Sequence, residues 1–285
     1  MSAIRNDHVD LATFFYQGNG ASRFQATQYA GANVPVTTTT KTCKRISSSH
    51  PSAPRLLHNI HIYPEIPEVG YGFSWNPIHW IMQLISLIHG LVRGIKTSHP
   101  HYINWWNMSV GGSPDVAHHQ RYVKDFLQDK SKSKVLFGCS RGAVTTLVSV
   151  AGLPPHQQQQ IGLVIVEAPF DTVPSVLSHS AWIPPSLQLL LLRTLGSYQD
   201  DQVSPLQAIE HFPLDVPIAF ITSRTDARVP PKCTQCLIDR LRSRGHPNLH
   251  HLELKSSPHG TMSLDNAADQ TAYLEFVENL YERYC

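Results

Sequence analysis

The sequence is poor in charge, and this scarcity excludes one class of partner. Only 15% of its 285 residues are charged, and the formal net charge is +2 with neutral histidines. A balance so close to zero provides no electrostatic basis for binding nucleic acid. We therefore expect no nucleic-acid partner, and a chain of this length is ample for one sizeable apolar core.

Cysteine is also scarce, and its spacing is not that of a disulfide framework. The five cysteines are an odd number and are scattered, apart from one Cys-x-x-Cys pair at Cys233 and Cys236. No second pair follows at the spacing of a zinc site, and the 17 histidines include no His-Glu-x-x-His pattern. The sequence thus predicts no metal and no cofactor, and for both cysteines it favours ordinary helix positions over a metal or redox site.

Long apolar runs are missing as well. The N-terminus lacks the shape of a signal peptide, and the longest apolar stretch, residues 78–95, is interrupted by His79, Gln83, His89 and Arg93. This pattern predicts an amphipathic helix that packs on the core, in preference to one that lies against a lipid surface. We expect a cytoplasmic protein, with membrane-surface contact as the less favoured alternative, and the sequence leaves the oligomeric state open.

What the sequence does contain is an alternation of strands and helices. Strand patterns cover residues 11–16, 102–110, 134–137, 161–167, 216–222 and 249–254, and helical patterns cover 115–128, 143–151, 233–244 and 271–284. Such alternation predicts an α/β protein whose mostly parallel sheet is covered by helices on both faces. Residues 31–55 are rich in Thr, Ser and Pro, and prolines break the segment that follows, so we expect an irregular insertion at 31–75.

One motif in this pattern carries chemistry. Residues 138–142 read Gly-Cys-Ser-Arg-Gly and lie between a strand pattern and a helical pattern. A serine in this setting sits on a sharp, strained turn, where flanking glycines remove side chains that would collide. The three fixed residues match by chance in about one chain in ten of this length. The motif alone therefore leaves open a nucleophile or an ordinary capping serine.

The order of later residues favours a nucleophile. In this architecture an acid and then a histidine follow the serine, each after a later strand. Asp226 follows the strand pattern at 216–222, and His259 follows the last strand pattern, just before the closing helix. Asp171 also follows a strand and is the alternative acid. Asp226 is favoured because its strand directly precedes the unit that carries the histidine.

With these residues the chain resembles the α/β-hydrolase family over most of its length, from residue 14 to residue 284. The matching segments are Gly-Cys-Ser-Arg-Gly at 138–142, Glu-Ala-Pro-Phe at 167–170, Arg-Thr-Asp-Ala-Arg-Val-Pro at 224–230 and Ser-Pro-His-Gly at 257–260. The Asp-x-x-Val-Pro ending is similar to the acid loop of esterases, lipases and prolyl-oligopeptidase-type hydrolases. The resemblance implies an α/β-hydrolase fold for a single domain, residues 1–285, with a helical lid segment at 172–212.

The resemblance also implies a role for each catalytic residue. Ser140 is the nucleophile, His259 is the general base and then the general acid, and Asp226 orients the imidazole of that histidine. The backbone N–H of Arg141 is one donor to the oxyanion.

The second oxyanion donor is implied at an early glycine-rich loop. Residues 17–20 read Gln-Gly-Asn-Gly and are similar to the family's oxyanion loop, with Gln17 where many members have histidine. The resemblance places the donor on the N–H of Gly18 or Asn19. A simple glycine-rich turn is the alternative.

Other polar residues near these motifs have structural interpretations. We expect His118 and His119 to face solvent on their helix, His250 and His251 to be packing or surface residues of a strand, Glu167 to be structural and Cys139 to pack beside the sheet.

The lid segment bears on the substrate. It holds Trp182, Ile183 and the leucines of residues 189–192, which favour an apolar acyl chain; the alternative is that these side chains only pack the lid on the core. The resemblance therefore implies a serine hydrolase that acts on a small-molecule carboxylic ester or thioester. A peptidase of the same fold and a non-catalytic binding protein are the two alternatives.

Overall fold

In a computed structural model, a sheet that has seven strands among the described residues forms the centre of the protein. The structure describes residues 9–16, 41–46, 57–65, 112–128, 133–179, 184, 186–187, 204–260, 262 and 266–285. The strands are β1 (Val9–Tyr16), β2 (Lys41–Ile46), β3 (Leu57–Glu65), β4 (Ser133–Cys139), β5 (Leu163–Glu167), β6 (Ile218–Ser223) and β7 (Leu249–Leu254). Their spatial order is β2-β3-β1-β4-β5-β6-β7. β2 is antiparallel to β3, and the other neighbouring pairs are parallel, which confirms the mostly parallel sheet.

Helices cover both faces of this sheet, as the alternating pattern predicts. They are α1 (Ser113–Phe126), α2 (Arg141–Ala151), α3 (Pro155–Gln158), α4 (Val173–His179), α5 (Pro205–Ala208), α6 (Pro231–Ser243) and α7 (Ala267–Tyr284), with a 3₁₀ turn at Ile209–His211. Helix α7 packs on the face that holds Val135 and Phe137, whereas α1, α2 and α6 pack on the face that holds Leu136. An apolar cluster lies on each face of the sheet. Alternate residues of β4 contribute to the two clusters because successive strand side chains point to opposite faces.

Two strands lie where the sequence predicted an irregular insertion. Both β2 and β3 fall within residues 31–75, and β1 pairs along its whole length with β3. Sequence reasoning missed β2 because it reads Lys-Thr-Cys-Lys-Arg-Ile, a polar composition that suits a sheet edge but lacks an apolar face. It missed β3 because Pro64 interrupts the strand pattern near its end. The expectation of irregular structure is therefore wrong for these two stretches.

His118 and His119 are buried, so the expectation that they face solvent is wrong. The reason is that α1 contacts both α2 and β1, which leaves it a broad buried face. His119 is fully buried, with its Nε2 3.2 Å from Thr146 Oγ1 and its ring edge-on to Phe14. Burial, with a smaller effect of His118, lowers the pKa of His119 from 6.5 to about 3. Its imidazole is therefore neutral at pH 7 and serves packing.

Several predicted elements fall on residues that the structure does not describe. These are the strand at 102–110, the amphipathic helix at 78–95 and the leucines at 189–192. Within the lid segment 172–212, the described parts form α4, α5 and the 3₁₀ turn. Across the described ranges, we find no helix with both the length and the apolar character needed to cross a membrane.

Candidate active site

Three of the predicted site residues meet at one edge of the sheet. Ser140 directly follows β4, Asp226 lies shortly after β6, and His259 lies shortly after β7. Because these strands are parallel, their carboxyl ends share an edge. Ser140, Asp226 and His259 therefore lie close together in space although they are far apart in the sequence.

Ser140 occupies the sharp turn that the motif predicts. Its backbone has φ 54° and ψ −118°, a region that non-glycine residues rarely adopt. Its N–H donates to the carbonyl of Glu167 at 2.7 Å, which fastens the turn to β5. At Gly138, an added Cβ would lie 2.5 Å from the carbonyl oxygen of Gly142 and 2.7 Å from Cα of Ala143. Both are backbone atoms, so only glycine fits at the first glycine position of the motif.

A line of hydrogen bonds joins the three side chains. Ser140 Oγ lies 2.9 Å from His259 Nε2, and His259 Nδ1 lies 2.7 Å from Asp226 Oδ2. The other oxygen of Asp226 accepts the N–H groups of Arg228 and Val229, both at 2.9 Å. The Asp226 side chain is fully buried, whereas that of His259 is 10% exposed. An anchored carboxylate thus aims the imidazole at the serine oxygen, an arrangement in which the imidazole can accept the hydroxyl proton.

The alternative acid, Asp171, has other partners. Its Oδ1 accepts the N–H of Thr172 at 2.8 Å, and its own N–H donates to the carbonyl of Cys233. Asp171 follows β5, whereas Asp226 follows β6, the neighbour of the strand that precedes His259. The sheet order therefore brings Asp226 to the histidine.

Of the two predicted oxyanion donors, only the N–H of Arg141 lies among the described residues. Arg141 is the first residue of α2, so its N–H belongs to the helix turn that opens beside the serine. Gly18 and Asn19 lie outside the described residues. The last described residue before them is Tyr16, at the end of β1, which pairs with Gly138 of the motif. The second donor stays a prediction.

The loop that carries His259 is held by a carboxylate that sequence reasoning missed. Asp269, in the first turn of α7, accepts the N–H groups of Lys255, Ser256 and Ser257 at 3.1, 2.8 and 2.9 Å, and the Ser257 hydroxyl at 2.8 Å. Burial raises the pKa of Asp269, but these hydrogen bonds outweigh it and lower the pKa from 3.8 to about 2. The ionised carboxylate therefore fixes the chain between β7 and the histidine.

The sequence did contain a signal for Asp269. Asn266 is the N-cap of α7, and its Oδ1 accepts the N–H groups of Ala268 and Asp269. An N-cap residue followed three positions later by an acid is a pattern of helix starts. That pattern marks the helix start, but it does not reveal that the acid also reaches the preceding loop.

Replacing Asp269 with asparagine is expected to lower kcat about tenfold, because the amide puts N–H groups against the loop's N–H donors and displaces His259. At pH 7 the free energy of unfolding should fall by about 1–3 kcal/mol. The folded pKa lies below the ordinary value, so this stabilisation is complete above about pH 4 and is lost as the pH falls toward 2. Urea denaturation of both proteins at pH 7 and pH 3 measures the difference, which should shrink at pH 3.

The matched control is Asp125→Asn, at an exposed position of α1. It should leave kcat and the free energy of unfolding unchanged. A wild-type kcat in the Asp269 variant, or a stability difference that is the same at both pH values, would contradict the role given to this carboxylate.

Glu167 and Cys139 are buried together beneath the serine, which agrees with the structural roles expected for them. The Tyr273 hydroxyl donates to Glu167 Oε2 at 3.0 Å, and Cys139 Sγ lies 3.4 Å from Glu167 Oε1. The side chain of Glu167 thus connects α7 to the strand that leads to the serine. Its main-chain carbonyl is the acceptor that fastens the turn.

The remaining predicted positions are structural. His250 Nε2 lies 2.6 Å from the Tyr284 hydroxyl, and His251 Nε2 lies 2.9 Å from Thr222 Oγ1, as expected for packing residues. Cys233 and Cys236 lie on α6, the former buried and the latter exposed, and both are free thiols. In the part of the chain that is described, no cluster of three or more His, Cys, Asp or Glu residues is placed to hold a metal.

Several solved structures have a fold similar to that of this chain. An esterase from Pyrococcus furiosus has a TM-score of 0.51 at 13% identity, over 98% of this chain and 84% of that one. A monoacylglycerol lipase from Paleococcus ferrophilus has a TM-score of 0.53 at 13% identity, over 94% and 93%. A puromycin-hydrolyzing peptidase from Mycobacterium tuberculosis has a TM-score of 0.56 at 14% identity, over 97% of this chain and 34% of the peptidase.

This chain therefore spans about a third of the peptidase and most of the other two proteins. No protein-family model matches the sequence, and no curated protein sequence is similar to it. At identities this low, the likeness is a statement about the fold.

Proposed function

The chain has the α/β-hydrolase fold, and from this premise we propose that it is a serine hydrolase that cleaves a carboxylic ester or thioester through an acyl-enzyme intermediate. The observation that carries the proposal is the line of hydrogen bonds from Ser140 through His259 to Asp226, at 2.9 and 2.7 Å. A fold alone supports many functions, so the proposal depends on this site.

Each residue then has a defined step. His259 Nε2 takes the proton of Ser140 as its Oγ attacks the substrate carbonyl, and Asp226 stays ionised and supports the imidazolium. The N–H of Arg141 donates to the oxyanion, and such a donor contributes about 3 kcal/mol to the transition state. His259 then protonates the leaving group, and a water molecule activated by the same imidazole releases the acyl group. The second donor belongs to Gly18 or Asn19.

The geometry favours catalysis over a non-catalytic binding role. Ser140 is held in a strained backbone conformation, and strain of this kind persists where the surrounding structure supports it. Asp226 is a fully buried carboxylate whose second oxygen is satisfied by two backbone N–H groups. A binding surface needs neither an imidazole between a buried acid and a serine nor a strained serine.

The substrate is proposed to carry an apolar acyl chain. The support is the leucine-rich composition of the lid segment, together with Leu187, whose side chain is 41% exposed in the described part of that segment. A peptidase is the second candidate, supported by the Asp-Ala-Arg-Val-Pro sequence at 226–230. The solved structures of similar fold include an esterase, a lipase and a peptidase, so the fold is compatible with both ester and amide substrates.

A fluorophosphonate probe tests the reaction class directly. Such a probe phosphonylates a serine only when an adjacent base and oxyanion donors activate it. We expect one probe per folded chain, on the peptide that contains Ser140, and no labelling after heat denaturation. Mass spectrometry of the labelled digest measures this. A folded protein that takes up no probe would sink the enzyme proposal.

A substrate panel separates ester from peptide chemistry. We expect kcat/KM for p-nitrophenyl esters to rise from acetate toward medium acyl chains, because each buried CH₂ contributes about 0.8 kcal/mol. Peptide p-nitroanilides should react much more slowly. The opposite preference would favour the peptidase.

A further inference from the structure

Arg141 is a charged residue in a helix that is otherwise apolar or hydroxyl-bearing and buried. Residues 141–150 of α2 are all buried, and Arg141 itself is 1% exposed. Its position is the one directly after the serine. A guanidinium in such a place requires a partner, because an unpaired buried charge is strongly disfavoured.

Its partner is Asp115, in the first turn of α1. Arg141 Nε donates to Asp115 Oδ2 at 2.8 Å, and Nη2 donates to Oδ1 at 2.5 Å. The two groups therefore meet in a bidentate arrangement, which fixes direction as well as distance. Both side chains are almost completely buried, so solvent does not loosen the pair.

A buried ion pair of this kind is weak evidence for a role in stability alone. Desolvation of two charges offsets much of their attraction, and apolar residues of similar volume often serve a core as well or better. What the pair does provide is a rigid link between two helix starts. One of these starts holds the peptide bond that joins Ser140 to Arg141.

Other contacts of this peptide, among the described residues, join different elements. The N–H of Ser140 is fastened to Glu167, and its carbonyl accepts the N–H of Val144 at 3.1 Å. The carbonyl of Arg141 accepts the Thr145 hydroxyl at 2.9 Å. The first of these contacts ties the turn to β5, and the other two lie at the start of α2. The bond to Asp115 instead ties α2 to a separate helix, α1.

We propose that Asp115 is a positioning residue for the reaction. By holding the Arg141 guanidinium, it sets the orientation of the first turn of α2 and thereby aims the Arg141 N–H at the oxyanion. This inference rests on the proposed function. A displacement of about 1 Å at such a donor is enough to lower turnover by about a hundredfold. Asp115 touches no reacting atom; it acts through Arg141.

The paired substitution Arg141→Met with Asp115→Leu tests this inference. It replaces both charged side chains with apolar ones of similar volume, so neither charge is left buried without its partner. It also leaves the backbone N–H of residue 141 in place. We expect a folded protein whose denaturation midpoint is close to that of wild type. Its kcat on an ester should fall about 10- to 100-fold with KM changed less than about twofold. Its affinity for a trifluoromethyl ketone, which binds as an oxyanion, should fall by a similar factor.

Two further variants complete the experiment. Arg141→Lys keeps the charge but loses the bidentate geometry, and we expect an intermediate fall in kcat in a folded protein. The control is the paired substitution Arg242→Gln with Asp239→Asn, which removes an exposed ion pair of α6 and should leave kcat unchanged.

The outcomes separate this inference from the function on which it rests. If the folded Met/Leu pair, or the lysine variant when the pair does not fold, keeps the wild-type kcat and ketone affinity, Asp115 is only structural and the inference is overturned. A rise in KM at unchanged kcat would overturn it too. If wild type neither hydrolyses esters nor reacts with fluorophosphonate, the proposed function itself fails.

Discussion

Replacing Ser140 with alanine is expected to lower ester turnover about a millionfold and to abolish fluorophosphonate labelling. The hydroxyl is the group that would form the acyl-enzyme, and Oγ lies 2.9 Å from the base that would deprotonate it. A residual rate above that of water should persist, because the oxyanion donors and the substrate contacts remain. Steady-state kinetics with a p-nitrophenyl ester, followed at enzyme concentrations high enough to see slow turnover, measures the loss.

The fold should survive this change, since the removed oxygen makes one hydrogen bond and the side chain is only partly buried. Ser149→Ala is a matched control, because Ser149 is a buried serine near the far end of α2, the helix that begins directly after Ser140. It should label and turn over as wild type does. Labelling that survives in the Ser140 variant would show that the nucleophile is another residue.

Replacing Asp226 with asparagine is expected to lower kcat about ten-thousandfold with the fold retained. The N–H groups of Arg228 and Val229 hold one oxygen of the acid, so the amide nitrogen takes the position that faces His259 Nδ1. An N–H in that position favours the tautomer that carries its proton on Nε2. That tautomer cannot accept the proton of Ser140, and the support of the imidazolium charge is lost as well.

Steady-state kinetics from pH 5 to pH 9, together with thermal denaturation, tests this expectation. The matched control is Asp171→Asn, which alters the other acid that follows a strand and whose Oδ1 accepts the Thr172 N–H instead. Its kcat should stay within a few-fold of wild type. Near-normal turnover in the Asp226 variant, with a large loss in the Asp171 variant, would exchange the roles of the two acids.

Local sequence was a good guide wherever a segment is buried on both sides. β4, β5 and β6 read as continuous apolar runs because helices cover both faces of the sheet, and their predicted positions agree with the structure to within two residues. Helices α2 and α6, which follow β4 and β6, were predicted at 143–151 and 233–244, and each agrees with the structure to within two residues. Where a strand lies at the polar edge of the sheet, as β2 does, this signal is absent and the strand was missed.

The sequence likewise predicted some residues of the candidate site and missed others. The positions of Ser140, Asp226 and His259 could be predicted because each directly follows or lies shortly after a recognisable strand. The roles of Asp115 and Asp269 could not be predicted. Asp115 lies 26 residues from Arg141, and Asp269 lies up to 14 residues from the N–H groups that it accepts, and no local pattern relates these partners. The burial of His119 is a further case, since it depends on which elements pack around α1.

The sequence by itself determined the fold class, the turn that carries Ser140 and the order of the acid and the histidine. These are properties of short segments, in which apolar periodicity, glycine and strand ends act locally. Only the tertiary structure decided which acid meets His259, because sheet order places β6, and not β5, beside β7. It also decided that a buried aspartate on α1 holds the arginine after the serine. Such contacts depend on how distant elements pack, and no spacing in the chain records that packing.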